Sequence, residues 1–105
     1  MRIVFDQGTP APLRSFLDGH EVATAAELGW SELENGAFLS AAEAQAFEIL
    51  ITTDQNLRYQ QNLEERSVGV VVLMSTSWPR IKERVADVIS AVNELPPGGY
   101  HVVDI

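Results

Sequence analysis

Short apolar runs recur along the chain, each bounded by polar residues. The most compact are Arg2–Phe5, the run that begins at Ile49 and stops at Asp54, and Ser67–Met74. All three are rich in β-branched residues, which is typical of strands buried on both faces of a parallel sheet. The weaker runs at His20–Thr24 and Tyr100–Ile105 predict strands at the two edges of that sheet.

The segments between these runs carry helix signals. Thr9 is a candidate N-cap for a helix from Pro10 to about Leu17, and Asn35 is a candidate cap for an alanine-rich helix to about Phe47. The other predicted helices are a single turn within Ala25–Trp30, a short polar helix over Gln55–Asn62, and the longest one from Pro79 to about Leu95. This alternation predicts one domain spanning residues 1–105, a three-layer α/β/α sandwich with a mostly parallel sheet of about five strands and right-handed crossovers.

Composition narrows the function classes. The 105 residues allow one modest core, and the formal net charge of −8, with only seven Lys and Arg, argues against a broad basic surface for nucleic acid. A metal ion or a partner protein would have to supply positive charge if the substrate were RNA or DNA. Without cysteine there is no disulfide, thiolate metal site or cysteine nucleophile.

The chain shows no targeting or membrane signal. Its first residues lack the apolar run of a signal peptide, and no run approaches the roughly 18 apolar residues of a membrane span. We therefore expect a cytoplasmic protein with no membrane partner.

Two aspartates each follow a predicted strand, Asp6 after the first and Asp54 after the third. Because the carboxyl ends of parallel strands meet at one end of a sheet, we expect the two side chains to lie close together there. Carboxylates suit Mg²⁺ or Mn²⁺, which could activate water for phosphodiester hydrolysis. An aspartate after a strand is also a common turn or cap residue, so both interpretations stay open.

Other residues give weaker signals. His20 and His101 have no metal-ligand spacing, and Trp30 and Trp78 are expected to pack rather than to stack on bases. The donor-rich segment after Asp54, which includes Arg58 and Gln61, could contact a substrate phosphate, although a solvated helix face explains it nearly as well.

Several segments together resemble a known family. They are Arg2-Ile-Val-Phe-Asp6, His20-Glu-Val-Ala-Thr-Ala-Ala-Glu-Leu-Gly-Trp30, Asn35-Gly-Ala-Phe-Leu, Ile51-Thr-Thr-Asp-Gln-Asn-Leu57 and Val70-Val-Val-Leu. In this order they resemble the PIN-like family known as domain of unknown function 5615, whose relatives are the Mut7-C-like and toxin-type PIN ribonuclease domains.

The resemblance implies a Mg²⁺- or Mn²⁺-dependent endoribonuclease, with RNA as substrate, within a bacterial toxin–antitoxin system and thus with an antitoxin partner. Asp6 and Asp54 match two metal-binding acids of the family, and Glu27 is the most plausible further acid. Asn35 and Asn56 stand where many relatives have Asp, and they would position water or metal as members of the catalytic set.

Other functions remain open. The two asparagines and the acidic surface favour the alternative of a PIN-like binding or regulatory module without turnover. A receiver-like phosphoacceptor is disfavoured by the single acid after the first strand and by the lack of a lysine near the later strand ends. The long apolar run Ser67–Met74 and the Trp78 region leave room for a homodimer surface.

Overall fold

A computed structural model of the chain describes residues 1–57 and 62–105. The strands are β1 (Arg2–Phe5), β2 (Glu21–Thr24), β3 (Ile49–Thr52), β4 (Gly69–Leu73) and β5 (Tyr100–Val103). The α-helices are α1 (Ala25–Leu28), α2 (Asn35–Ala44), α3 (Trp78–Glu83) and α4 (Val85–Glu94). Two 3-10 helices lie at Ala11–Phe16 and Leu63–Glu65.

The five strands form one parallel sheet in the order β2-β1-β3-β4-β5. In the centre of the sheet, Val4 of β1 pairs with Leu50 of β3, and Leu50 pairs with Val70 of β4. This architecture confirms the predicted three-layer sandwich with β2 and β5 at the edges. The order of the strands had no signal in the sequence.

Side chains alternate between the two faces of the sheet, as the strand period of two requires. One face packs against the first 3-10 helix, α3 and α4, through residues that include Phe5, Leu13, Ile51 and Val88. The opposite face packs against α1 and α2, through residues that include Val4, Phe38, Leu39 and Leu50. Because β1, β3 and β4 are covered on both faces, they read in the sequence as continuous apolar runs.

The structure corrects three predicted features of the helices. The segment after Pro10 is a 3-10 helix, and Thr9 turns inward to Asp6 and to Ile51 instead of capping it. The cap of α2 is Glu34, and Asn35 is the first helical residue. The predicted long helix is divided at Arg84, where no proline or glycine marks the break.

The crossovers of the sheet do not all have the same hand. The β2-to-β3 and β4-to-β5 connections step in the same direction across the sheet, yet α2 and α4 cover opposite faces. The two crossovers therefore have opposite hands. The β1-to-β2 connection steps the other way on the face of α4, so it shares the hand of the β2-to-β3 connection. The predicted right-handed rule therefore does not hold for β4-to-β5 and for these two connections together.

No helix in the described ranges combines the length and the apolar character that crossing a bilayer requires. Half of the predicted polar helix over Gln55–Asn62, residues 58–61, lies outside the described residues.

Leu39 of α2 and Leu33, just before that helix, provide a test of the core. Leu39 is fully buried, whereas Leu33 is 36% exposed. We expect Leu39→Ala to lower the free energy of unfolding by about 2–5 kcal/mol, because it leaves a cavity against the sheet. Leu33→Ala should change it by less than about 0.5 kcal/mol. Urea denaturation of both variants measures the contrast, and equal losses would contradict the packing described for α2.

Candidate functional site

The strand order reverses direction between β1 and β3. From β1 the chain steps outward to β2, and from β3 it steps the other way to β4. The loops that leave the two central strands also diverge, because the first 3-10 helix and Leu57 pack on opposite faces of the sheet. Such a switch point opens a crevice at the carboxyl end of an α/β sheet. Asp6 and Asp54 follow the two strands that flank it.

The Asp6 carboxylate is held by neutral donors. Its Oδ1 accepts hydrogen bonds from the backbone N–H of Thr9 (3.1 Å) and from the Thr9 hydroxyl (2.8 Å). The Thr9 hydroxyl also lies 2.8 Å from the carbonyl oxygen of Ile51, and its single proton can serve only one of the two oxygens at a time. The second oxygen of Asp6, Oδ2, accepts a hydrogen bond from the Thr52 hydroxyl.

The Asp54 carboxylate also accepts from neutral donors alone within the described residues. Its Oδ1 accepts from the backbone N–H of Asn56 at 3.0 Å, which forms an Asx turn. Its Oδ2 accepts from the side-chain amide of Asn35 at 3.1 Å. Asp54 therefore shapes the turn after β3 and is tied to the start of α2.

The Thr52 hydroxyl joins the two aspartates. It donates to the Asp6 carboxylate and accepts from the backbone N–H of Asp54 at 3.0 Å. Thr52 is 1% exposed, so these two bonds satisfy a hydroxyl that is buried at the end of β3. The ends of β1 and β3 are thereby held in one hydrogen-bonded unit.

A pocket of about 40 Å³ lies beside this unit. Its polar lining comes from Asp6, Gln7, Asn35 and Thr52. The volume suits a water molecule or a single ion. A larger substrate would have to lie across the open surface above it.

No cation contacts either aspartate among residues 1–57 and 62–105. The four ion pairs in these ranges join Arg2 to Glu21, Arg14 to Glu27, Arg66 to Glu43, and Arg84 to Asp87. Asp6 and Asp54 lie at one end of the sheet in a strongly acidic protein, and only neutral groups bond to them. No cationic side chain in these ranges therefore offsets their charge.

Glu27 has a different environment. It is exposed, and its carboxylate accepts hydrogen bonds from both terminal nitrogens of Arg14 and from the backbone N–H of Thr24. With Thr24 it forms a capping box at the start of α1. The Arg14 hydrogen bond, followed by the Thr24 backbone N–H, lowers the pKa of Glu27 from 4.5 to about 2. Within the described residues no hydrogen bond joins Glu27 to Asp6 or Asp54, so the structure does not bring this predicted acid into the unit.

The other predicted site residues fall into three groups. Asn35 joins the unit through Asp54. Asn56 is exposed and donates its backbone N–H to Asp54. Arg58 and Gln61 lie outside the described residues.

No described hydrogen bond joins the tryptophans or histidines to Asp6 or Asp54. Trp30 packs edge-on against Phe38 and Phe47, and Trp78 packs against Phe16, with ring centroids 5.5–5.9 Å apart. These contacts confirm the predicted packing role. His20 lies 3.4 Å from the N-terminal amine, and His101 is exposed on β5.

Sequence reasoning missed Thr52 and Thr9. Thr52 is the last residue of β3 and shares its face with Leu50, so a polar residue at a buried strand position was the available signal. The sequence predicts a helix cap for Thr9, because nothing local indicates its contact with Ile51, 42 positions away.

Carboxylates and an amide are donor types that a hard divalent cation accepts. Mg²⁺ is bound in proteins by one or two carboxylates and keeps several waters. Asp6 and Asp54 would supply the carboxylates, and Asn35 could turn its amide to offer oxygen instead of nitrogen. Within the described ranges there is no group of three or more His, Cys, Asp or Glu that could hold a metal, so such a site would be only thinly liganded by protein.

Comparison of the chain with protein-family models, with curated proteins and with solved structures finds no match. The resemblance to the PIN-like family therefore stays a prediction.

The pKa of Glu27 predicts an acid-dependent contribution to stability. A carboxyl whose pKa is lowered on folding stabilises the native state above its ordinary value of 4.5, and this contribution is lost as the pH falls toward about 2. We expect Glu27→Gln to lower the melting temperature at pH 7 and to differ less from the wild type at pH 2. Glu32→Gln, at an exposed residue without an ion pair in the described structure, is the control. A gap that stays constant with pH would contradict the assigned cause.

Asn35→Asp tests the charge balance of the aspartates. The substitution removes the amide donor to Asp54 and sets two carboxylates against each other, which should cost about 1–3 kcal/mol of stability without metal. Millimolar Mn²⁺ should then raise the melting temperature of this variant more than that of the wild type. Asn93→Asp, on the exposed side of α4, adds the same charge elsewhere. Equal Mn²⁺ shifts in the two variants would contradict a cation site at Asp54.

Proposed function

We propose that this protein is a metal-dependent endoribonuclease of the PIN-like toxin type, which hydrolyses RNA phosphodiesters in the cytoplasm. The observation that carries the proposal is the pair Asp6 and Asp54. Both flank the switch point of the sheet, Thr52 joins them, and no described cation neutralises them. This arrangement supports a Mg²⁺ or Mn²⁺ site at the position where α/β sheets bind ligands.

A bound divalent cation would lower the pKa of a water molecule and offset the charge that develops on the phosphate. Asp6 and Asp54 would hold the cation, and Asn35 would orient a water or bind through its amide oxygen. Thr52 and Thr9 keep the Asp6 carboxylate fixed by their hydrogen bonds. Because the pocket holds about 40 Å³, the scissile phosphate would approach from the open surface.

The acidic surface bears on the substrate and the partner. A net charge of −8 repels a polyanion, so RNA binding would depend on the cation and on basic groups such as Arg58. Gln61 would contribute a neutral donor to the same phosphate. The resemblance to toxins further suggests a cognate antitoxin protein that controls this activity.

A second candidate is a binding or regulatory module without turnover. The hydrogen bond from Asn35 to Asp54 favours it, because an amide donor occupies an oxygen that a metal would otherwise bind. In this case the carboxylates would serve only to shape the two turns that they cap.

A nuclease assay separates the two candidates. We expect the wild type to cleave a labelled, structured RNA with Mn²⁺, and Asp54→Asn to lower the rate by at least about tenfold, since it removes a metal-binding charge and keeps the shape. Asp18→Asn is the matched control, because Asp18 is an exposed aspartate in the turn that leads into β2, at the opposite end of the sheet.

Equal cleavage by the wild type and Asp54→Asn would remove Asp54 from the mechanism. An absence of cleavage, together with no change in melting temperature at millimolar Mn²⁺, would favour the module, because a ligand that binds only the native state must stabilise it.

A further inference from the structure

The outer edge of β5 presents backbone groups without a described partner. The N–H groups of Val70 and Met74 donate to the carbonyl oxygens of Gly99 and Val103, so the odd-numbered residues of this segment turn toward β4. In a strand the next residue points the opposite way, and the N–H and C=O of Val102 therefore face outward. No described residue forms a hydrogen bond with them.

The other edge of the sheet is partly blocked. On β2 the N–H of Thr24 is bound by the Glu27 carboxylate in the capping box. Val22 of β2 faces outward as Val102 of β5 does, and no described residue bonds its backbone groups either. The two edges are therefore distinguished by what lies beside them.

A groove of about 550 Å³ runs between α4 and β5. Its charged lining consists of Asp87, Glu94 and Asp104 against the single guanidinium of Arg84, and His101 also lines it. Arg84 is paired with Asp87 at 3.5 Å, and in the described structure Glu94 and Asp104 have no ion-pair partner. The groove therefore has a surplus of negative charge beside the open edge.

The negative charge of the groove indicates which kind of partner would bind at the edge of β5. A second copy paired through β5 would bring two acidic grooves together, because a twofold interface sets each patch against itself. Nucleic acid would be repelled by the same carboxylates. A basic extended segment fits both features, since its backbone can pair with Val102 while alternate side chains enter the groove.

We propose that the open edge of β5 is a docking site for an extended segment of a partner protein that carries Lys or Arg at alternate positions. The segment adds a sixth strand to the sheet, and its basic side chains meet Glu94 and Asp104 in the groove. This inference goes beyond the nuclease proposal and does not depend on it.

The test uses the full chain and an acetylated, amidated peptide of alternating Lys and Val, about eight residues long. NMR of the ¹⁵N-labelled protein should show shifted amide signals in β5 and α4, and hydrogen exchange of the Val102 amide should slow on binding. The same peptide, N-methylated at alternate residues so that it keeps its charges but cannot pair as a strand, should bind at least about tenfold more weakly.

Two sets of variants keep the test independent of folding defects. Val102→Pro removes the outward N–H, and proline is tolerated at such positions of edge strands. Glu94→Gln with Asp104→Asn lowers the groove charge without touching the backbone. Both changes should weaken binding. Glu64→Gln with Glu65→Gln removes the same charge from exposed acids near the opposite face of the sheet and should leave binding unchanged.

Three results would overturn the proposal. The N-methylated peptide could bind as tightly as the parent, which would reduce the contact to charge attraction. The peptide could shift signals around Asp6 and Asp54 instead of β5. Sedimentation could reveal a dimer that Val102→Pro abolishes, which would make the occupant a second copy.

Discussion

Charge at the carboxyl end of the central strands is the constraint on which the site depends. A parallel sheet brings the ends of β1 and β3 together, and each strand is followed by an aspartate. Like charges in a shared crevice need compensation from hydrogen bonds, a raised pKa or a cation. In the described residues the protein provides hydrogen bonds from neutral groups, and the buried hydroxyl of Thr52 joins the two loops.

These hydrogen bonds give each aspartate two roles. Asp6 closes the turn to Thr9, and Asp54 closes the turn to Asn56, so both carboxylates shape the loops that present them. Each oxygen of a carboxylate has more than one lone pair and can still accept a cation. Asn35 bears on both roles of Asp54, because its amide can donate a hydrogen bond to Asp54 or, after rotation, offer an oxygen to a metal.

The sequence predicted those parts of the structure that depend on local patterns. β1 and β3 are apolar runs that end at Asp6 and Asp54, and their burial on both faces follows from composition alone. The expectation that both aspartates lie at the same end of the sheet also holds, because all five strands are parallel.

Other features depend on contacts between distant segments and could not be predicted. One of them is the order of the strands. Two others are the hydrogen bonds from Thr52 to Asp6 and from Asn35 to Asp54, which join residues 46 and 19 positions apart. The break at Arg84 has no glycine or proline to announce it. Asn35 was a good cap by residue type, yet Glu34 takes that position and leaves the amide for the site.

A crystal structure of the protein soaked in Mn²⁺, with anomalous scattering recorded for the metal, tests the central claim most directly. The account predicts an anomalous peak bound by carboxylate oxygens of both Asp6 and Asp54, with the Asn35 amide turned away from its donor position. Crystals at saturating Mn²⁺ with no peak between these aspartates, and with Asn35 still donating to Asp54, would contradict it.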